Sequence, residues 1–315
     1  MNVLTRRRWK SWAAAVAAGL CLFLAGAAGA AATADLSPEQ AGRVRAERDA
    51  QAVAALPPGW QPVQPGAFTV AIHPAAPPVS TYATDARTVV GADVDIAQLV
   101  ADALGLKLVL QPVAWADWPL GLASGRYDAV ISNVGVTEQR KEKFDFSTYR
   151  QGLHGFYVPV GSPIQRLAQP KDVAGLRIIT SSGTIQERIL LEWNRQNQAA
   201  GLAALTLQYH DDDAARTLAL VSGRADASFN PNAAQAWAAA RDGRMRRVGL
   251  VNAGWPLKAD VAITTRKGSG LVPAVTAALN RLIDNGKYAQ ALARWGLEAE
   301  ALTKAETNPP GLPKF

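Results

Sequence analysis

Cysteine is nearly absent from this 315-residue chain, and the one present, Cys21, sits inside an apolar run close to the N-terminus. Beyond that run there is nothing to form a disulfide, a thiolate nucleophile or a cysteine metal site. Histidine is almost as scarce, with His73, His154 and His210 the only three, which leaves little for nucleophilic or metal-assisted catalysis. No nucleophile elbow, P-loop, H-E-x-x-H or dinucleotide fingerprint occurs. His210 beside Asp211, Asp212 and Asp213 reads as a solvated loop ahead of a helix, where acids suit the N-terminus, so no metal and no cofactor is expected. Nor is there an excess of one charge where it matters. The formal charge is +7, but Arg6, Arg7, Arg8 and Lys10 crowd the extreme N-terminus, and no acid precedes Asp35. Without those four, 29 basic residues face 26 acidic ones and are scattered, too mild a balance for a nucleic-acid partner.

What is present begins with a leader. A basic n-region, the apolar run Trp12 to Ala28 and small-residue A-x-A triplets ending at Ala30, Ala32 or Ala34 describe a cleavable signal peptide over residues 1–34. Thr5-Arg6-Arg7-Arg8-Trp9 partly resembles a twin-arginine signal, so the export route stays open. Leu20 before Cys21 does not make a lipoprotein site. The expected destination is therefore the periplasm. Hydrophobic content of 49% and charged content of 19% fit a globular remainder, long enough for two lobes.

Residues 35–66 read as a short helix and a linker. Phe68 to Ile72 is a strand, His73 to Asp85 a proline-rich loop, and Ile96, Leu99, Val100, Ala103 and Leu104 mark an amphipathic helix stopped by Gly105. A strand at Lys107 to Val113 follows, then a helix opened by Asp117 and Pro119, then a strand at Tyr127 to Ser132. Thr137 caps a short helix with Arg140 in its first turn. A cation there has the wrong sign for the helix dipole unless an anion shares the site, or unless it pairs with Glu138 or Asp145 on a solvated surface. Gly161-Ser162-Pro163 reads as a hinge to a second unit. There Leu176 to Thr180 is a strand, and Thr184-Ile185-Gln186-Glu187 is a capping box opening a helix. Ser124-Gly125-Arg126-Tyr127-Asp128 is echoed by Ser222-Gly223-Arg224-Ala225-Asp226. Each echo runs from helix stop to strand and on to a polar strand end, as two lobes built alike would require. Lys258 to Thr265 is a returning strand, Leu271 to Ile283 a helix, and the tail from Ala299 an extended surface wrap.

Taken in order, Gly91-x-Asp93-Val94-Asp95, the two S-G-R-x-D runs, Thr137-Glu138-Gln139-Arg140-Lys141 with Asp145-Phe146-Ser147, and Gly183-Thr184 resemble the periplasmic solute-binding proteins of polar amino acid ABC transporters. The resemblance covers about Phe68 to Leu297. It implies an α/β fold of type II: two hinged lobes, each a mixed, mostly parallel sheet flanked by helices. Lobe 1 would span residues 67–157 and 258–298, lobe 2 residues 158–257, and a tail residues 299–315.

It further implies that Arg140 clamps a ligand carboxylate, with backbone groups of Asn133, Val134 and Gly135 and the Ser182-Gly183-Thr184 helix start completing the site. The ammonium-binding acid expected eight residues after Gly223 is replaced by Pro231, leaving Asn230 and Asn232, unless Asp85, Asp93 or Asp117 substitutes. Tyr82, His73 and Trp118 are further wall candidates, with Trp115 and Trp255 beside them. The implied partners are a small carboxylate-bearing ligand and an inner-membrane ABC permease, with the receptor a monomer. A dehydratase-like enzyme on the same fold and a ligand-presenting sensory module are the alternatives. The missing acid argues against the enzyme.

Overall fold

The computed structural model describes residues 34–314, so the expected leader, with Cys21 and all but the last of its candidate cleavage positions, lies outside the described residues. Helix α1 (Ala50–Ala54) precedes β1 (Ala67–Ile72), which leads through the short strands β2 (Thr81–Tyr82) and β3 (Val89–Val90) to α2 (Ala92–Leu104). Then come β4 (Lys107–Pro112), α3 (Trp118–Ala123), β5 (Ala129–Val130), β6 (Phe144–Gln151) and β7 (Leu153–Pro159). The second half carries β8 (Arg177–Thr180), α4 (Ile185–Ala199), β9 (Thr206–Tyr209), α5 (Asp213–Val221), β10 (Ala227–Pro231), α6 (Asn232–Asp242) and β11 (Met245–Asn252). Strand β12 (Asp260–Arg266), α7 (Val272–Asp284) and α8 (Lys287–Ala293) close the chain's regular structure.

Two five-stranded sheets result, ordered β4-β1-β5-β12-β6 and β11-β7-β10-β8-β9. In each, three parallel strands run second-first-third and an antiparallel pair completes the sheet. The S-G-R-x-D echo enters the third strand of each. Its glycines take positive φ, 75° at Gly125 and 74° at Gly223, stopping the preceding helix. Its aspartates tie that strand's entry to the first strand, Asp128 accepting from Thr69 N–H at 2.8 Å and Asp226 from Arg177 N–H at 2.8 Å. The repeated motif is thus a fastening as well as a turn.

Several elements differ from expectation. Strand β5 is two residues long, shorter than Tyr127 to Ser132. Asp117 precedes α3 but its side chain makes no capping bond there. Thr137 does cap, its Oγ1 accepting Arg140 N–H at 2.9 Å, but only a three-residue 3-10 turn follows. The chain leaves lobe 1 at Gly152, between β6 and β7, and returns between β11 and β12, so β7 belongs wholly to lobe 2. The turn at Gly161-Ser162-Pro163 comes after that crossing. Both crossings lie together, Ala253 N–H donating to Gly152 O at 2.9 Å. A side chain at Gly152 would sit 2.6 Å from Ala259 O and 2.7 Å from Ala253 Cβ, so only glycine fits the seam.

Lobe 1 is built on α2, α7 and α8 around Phe68, Leu99 and Leu279. Lobe 2 is built around Phe156, Trp193 and Phe229, stacked in sequence with centroids 4.1 Å apart for the two phenylalanines. The tail is no mere surface wrap, since Ala305 and Leu312 are fully buried. Among the described residues no helix is long and apolar enough to cross a membrane.

Candidate functional site

Arg140 leaves the 3-10 turn after Val136-Thr137, and its surroundings are unusual for a guanidinium. Nη1 donates to Gly135 O at 3.0 Å, and the guanidinium carbon lies 5.5 Å from the ring centroids of both Trp115 and Trp118. No carboxylate pairs with it among the described residues. Burial, with Arg188 adding repulsion, pulls its pKa down to about 10. It is still a cation at neutral pH. Trp118 is buried against Phe144, so it is the floor under Arg140 and no open wall.

Lobe 2 meets this segment through the start of α4. An ideal Cβ on Gly135 would lie 2.3 Å from Ile185 Cδ1, so the two lobes touch there. The capping box is closed on itself. Thr184 Oγ1 accepts Glu187 N–H at 3.3 Å and donates to Ser181 O at 2.6 Å, while Glu187 Oε2 takes Gly183 N–H at 2.6 Å. The Thr184 hydroxyl is committed to its capping box and the Gly183 N–H, expected to face a ligand, is occupied, which leaves the Thr184 backbone N–H. Ser182 is exposed beside them.

Asn133 also departs from expectation. At φ 53° its N–H donates to Asp93 at 2.8 Å, and its side-chain oxygen accepts from Arg150, which also pairs with Glu300. Tyr149 OH donates to Asp93 at 2.7 Å. Burial raises the Asp93 carboxyl, and Asp93 is thereby enclosed in lobe 1 and unable to reach a ligand. Burial opposes the charge on Arg150, but Glu300, Tyr149 and Asp93 outweigh it and hold the guanidinium above its ordinary range. Val134 is buried, its carbonyl accepting Ala262 N–H at 2.8 Å. Gly135 faces Val261 as a non-hydrogen-bonded pair, so its N–H points away from β12.

The other candidates scatter. His73 follows β1, its N–H donating to Ser132 Oγ at 2.9 Å and its Nδ1 3.1 Å from Val113 O. Tyr82 is exposed on the β2–β3 ribbon. Asp85 accepts bonds from its own turn, Arg87 and Thr88, and Asp117 is exposed. Asn232 turns into lobe 2, accepting from Tyr157 OH at 3.1 Å and Arg247 at 3.3 Å. Asn230 stays at a cavity of about 310 Å³ lined by Ala75, Pro77, Asp212, Asp213 and Arg216.

Arg216 is the residue the sequence reading missed. It donates to Ser181 Oγ at 2.7 Å and Asn230 Oδ1 at 3.2 Å and pairs with Asp213. Burial pulls it down to about 10, against the pull of Asp211 and Asp212. The signal was a single cation in the first turn of α5, hidden behind three aspartates. His154 is buried with neither ring nitrogen bonded, its pKa pushed down to about 3 by burial. It packs edge-on against Phe229 as a structural residue.

Two sheets of one topology, crossed twice at one seam, match a known family. The family model described as bacterial extracellular solute-binding proteins, family 3, matches residues 68–298. The chain belongs to that family. The arginine-binding protein ArgT of Corynebacterium glutamicum is 29% identical over 248 residues, 78% of this chain and 79% of that one. The family's relatives include an enzyme: cyclohexadienyl dehydratase of Pseudomonas aeruginosa is 26% identical over 148 residues, 46% of this chain and 52% of the enzyme. In fold, the chain is similar to the amino acid ABC transporter substrate-binding protein AbpA of Streptococcus pneumoniae bound to L-arginine, with TM-score 0.64, 21% identity, and coverage of 75% and 97%. This family 3 protein is accordingly a two-lobed solute-binding receptor of the kind that serves ABC importers.

Proposed function

We propose that this family 3 receptor binds a small carboxylate-bearing ligand, an amino acid or a close analogue, between its lobes, and that the closed form docks on an inner-membrane ABC permease. The observation that supports this reading is Arg140, a largely buried guanidinium with no ionic partner among the described residues, bonded to Gly135, which meets Ile185 at the start of α4 in the opposite lobe. A ligand carboxylate would receive charge-assisted bonds from Arg140 and backbone N–H groups of both lobes, and so would bind the closed state better than the open one. For the ammonium end, where the ligand has one, the polar candidates in place of the missing acid are Asn230 and the Asp213–Arg216 pair, which line the cavity of about 310 Å³ formed mostly by lobe 2. The receptor would act in the periplasm as a monomer, after removal of its leader, and without turnover of the ligand.

A thermal-shift series on the protein with L-arginine, L-glutamine, deaminated analogues and simple dicarboxylates tests this directly. Carboxylate ligands should raise Tm, because they bind only the folded state. If amines lacking a carboxylate stabilise the protein and carboxylates do not, the assignment of Arg140 fails. Loss of a hit compound's identity on incubation would make the protein an enzyme instead.

A further inference from the structure

The last residues lie beyond the stretch matched by the family, yet they are bound to the segment that carries Arg140. Asn308 N–H donates to Phe146 O at 2.9 Å and its side-chain oxygen accepts Phe146 N–H at 2.8 Å. Gly311 N–H donates to Glu138 Oε1 at 2.9 Å, and Lys141 Nζ to Pro309 O at 3.2 Å. Leu312 then pairs as a strand with residues 136–138: its N–H donates to Val136 O and its O accepts Glu138 N–H, both at 3.0 Å. Lys314 pairs with Glu142. The backbone of the tail therefore belongs to lobe 1. The side chain of Leu312 does not. Leu312 is fully buried in the apolar group of lobe 2 that holds Ile185, Trp193 and Trp255.

We propose that residues 308–312 form a strap that positions the Arg140 segment and couples it to lobe closure, with Leu312 as the positioning residue. The physical basis is a difference between states. The strap's backbone bonds join it to lobe 1 alone and are available whether the lobes are apart or together. The Leu312 side chain meets lobe 2 only when they are together, so apolar burial at this one residue favours the closed arrangement. The same pairing holds Val136 to Glu138 in addition to Asp260, whose carbonyl accepts Val136 N–H at 3.0 Å. The turn that aims Arg140 is thereby fixed by both. The strap touches no ligand and acts through the clamp.

The test measures lobe separation with no ligand added, so it does not depend on what the cleft binds. Spin labels are placed through Leu120→Cys on lobe 1 and Leu218→Cys on lobe 2, both exposed positions, in the full chain carrying Cys21→Ser. The parent should show one dominant short distance. Leu312→Ala should raise the longer-distance population about tenfold, as expected for partial loss of one buried leucine. Leu312→Met, which conserves volume, should restore the parent distribution. Truncation after Pro310 should reproduce the Leu312→Ala result. Distances in Leu312→Ala and in the truncated chain that superpose on those of the parent would overturn the proposal. Amide hydrogen exchange on the unaltered chain gives a check that needs no variant, since the Leu312 and Glu138 amides should be protected. Fast exchange at both would overturn it equally.

Discussion

Replacing Arg140 by methionine should separate stability from binding, with the two moving in opposite senses. A fall of the guanidinium from 12.5 to about 10 corresponds to about 3 kcal/mol of penalty on the charged form, taking about 1.4 kcal/mol per pH unit. That is an upper limit, because the side chain retains some contact with solvent. Against it stand the bond to Gly135 O, worth about 1–2 kcal/mol, and the contacts with Trp115 and Trp118, worth about 1 kcal/mol together beyond the packing a methionine would keep. Arg140→Met should therefore leave the ligand-free protein within about 1 kcal/mol of the parent by urea denaturation, or slightly more stable. Binding should collapse, because a ligand carboxylate would be buried without its partner, at a cost of about 3–5 kcal/mol or a few hundredfold or more in Kd by calorimetry. A variant that binds as the parent does, or one that loses several kcal/mol of stability, would show that Arg140 is an ordinary structural cation.

Two other substitutions probe the cleft and the core. Gly135→Ala should weaken ligand binding about tenfold, since its methyl group must displace Ile185 Cδ1, and Ile185→Ala in the same chain should restore most of the loss; equal affinities for all three proteins by calorimetry would refute the contact. His154, at about 3 when folded and about 6.5 when unfolded, excludes a proton that the unfolded chain accepts, so its contribution to stability is complete above pH 6.5 and is lost as pH falls towards 3. Between pH 6.5 and 4.5 the parent should lose about 2 kcal/mol more than His154→Phe in denaturant titrations, and identical losses would refute the assignment.

Much of the architecture was legible because it is written in local chemistry. The glycine stops at Gly105, Gly125 and Gly223 and the 3.6-residue period of α2 each depend on a few neighbouring residues, and each stands in the structure. The S-G-R-x-D echo correctly announced two lobes of one topology. The crossing between lobes was not legible. The hinge was expected at Gly161-Ser162-Pro163, whose turn residues stand out in the sequence, whereas the break lies at Gly152 between two strands and is marked only by the packing of Ala253 and Ala259 against it. Site details failed for a related reason. The direction of the Asn133 side chain is decided by Arg150 and that of Asn232 by Tyr157 and Arg247, partners remote in sequence. Arg140 could be singled out from its own turn, but its tryptophan floor and its lack of an ion partner could not. Leu312, lying among prolines in the tail, becomes informative only once it pairs with residues about 175 positions earlier.

The seam at Gly152 has a mechanical consequence. Two strands that cross side by side, bonded to each other and with no space for a side chain between them, behave as a leaf spring and not as a tether. Bending one crossing must bend the other through the same angle, so twisting and sliding of the lobes are resisted while rotation about one axis stays soft. A cleft that opens on such a seam would keep its register and bring Gly135 back to Ile185 at each closure. Accuracy of the mouth is set at the back of the molecule, in a single residue that has no side chain at all.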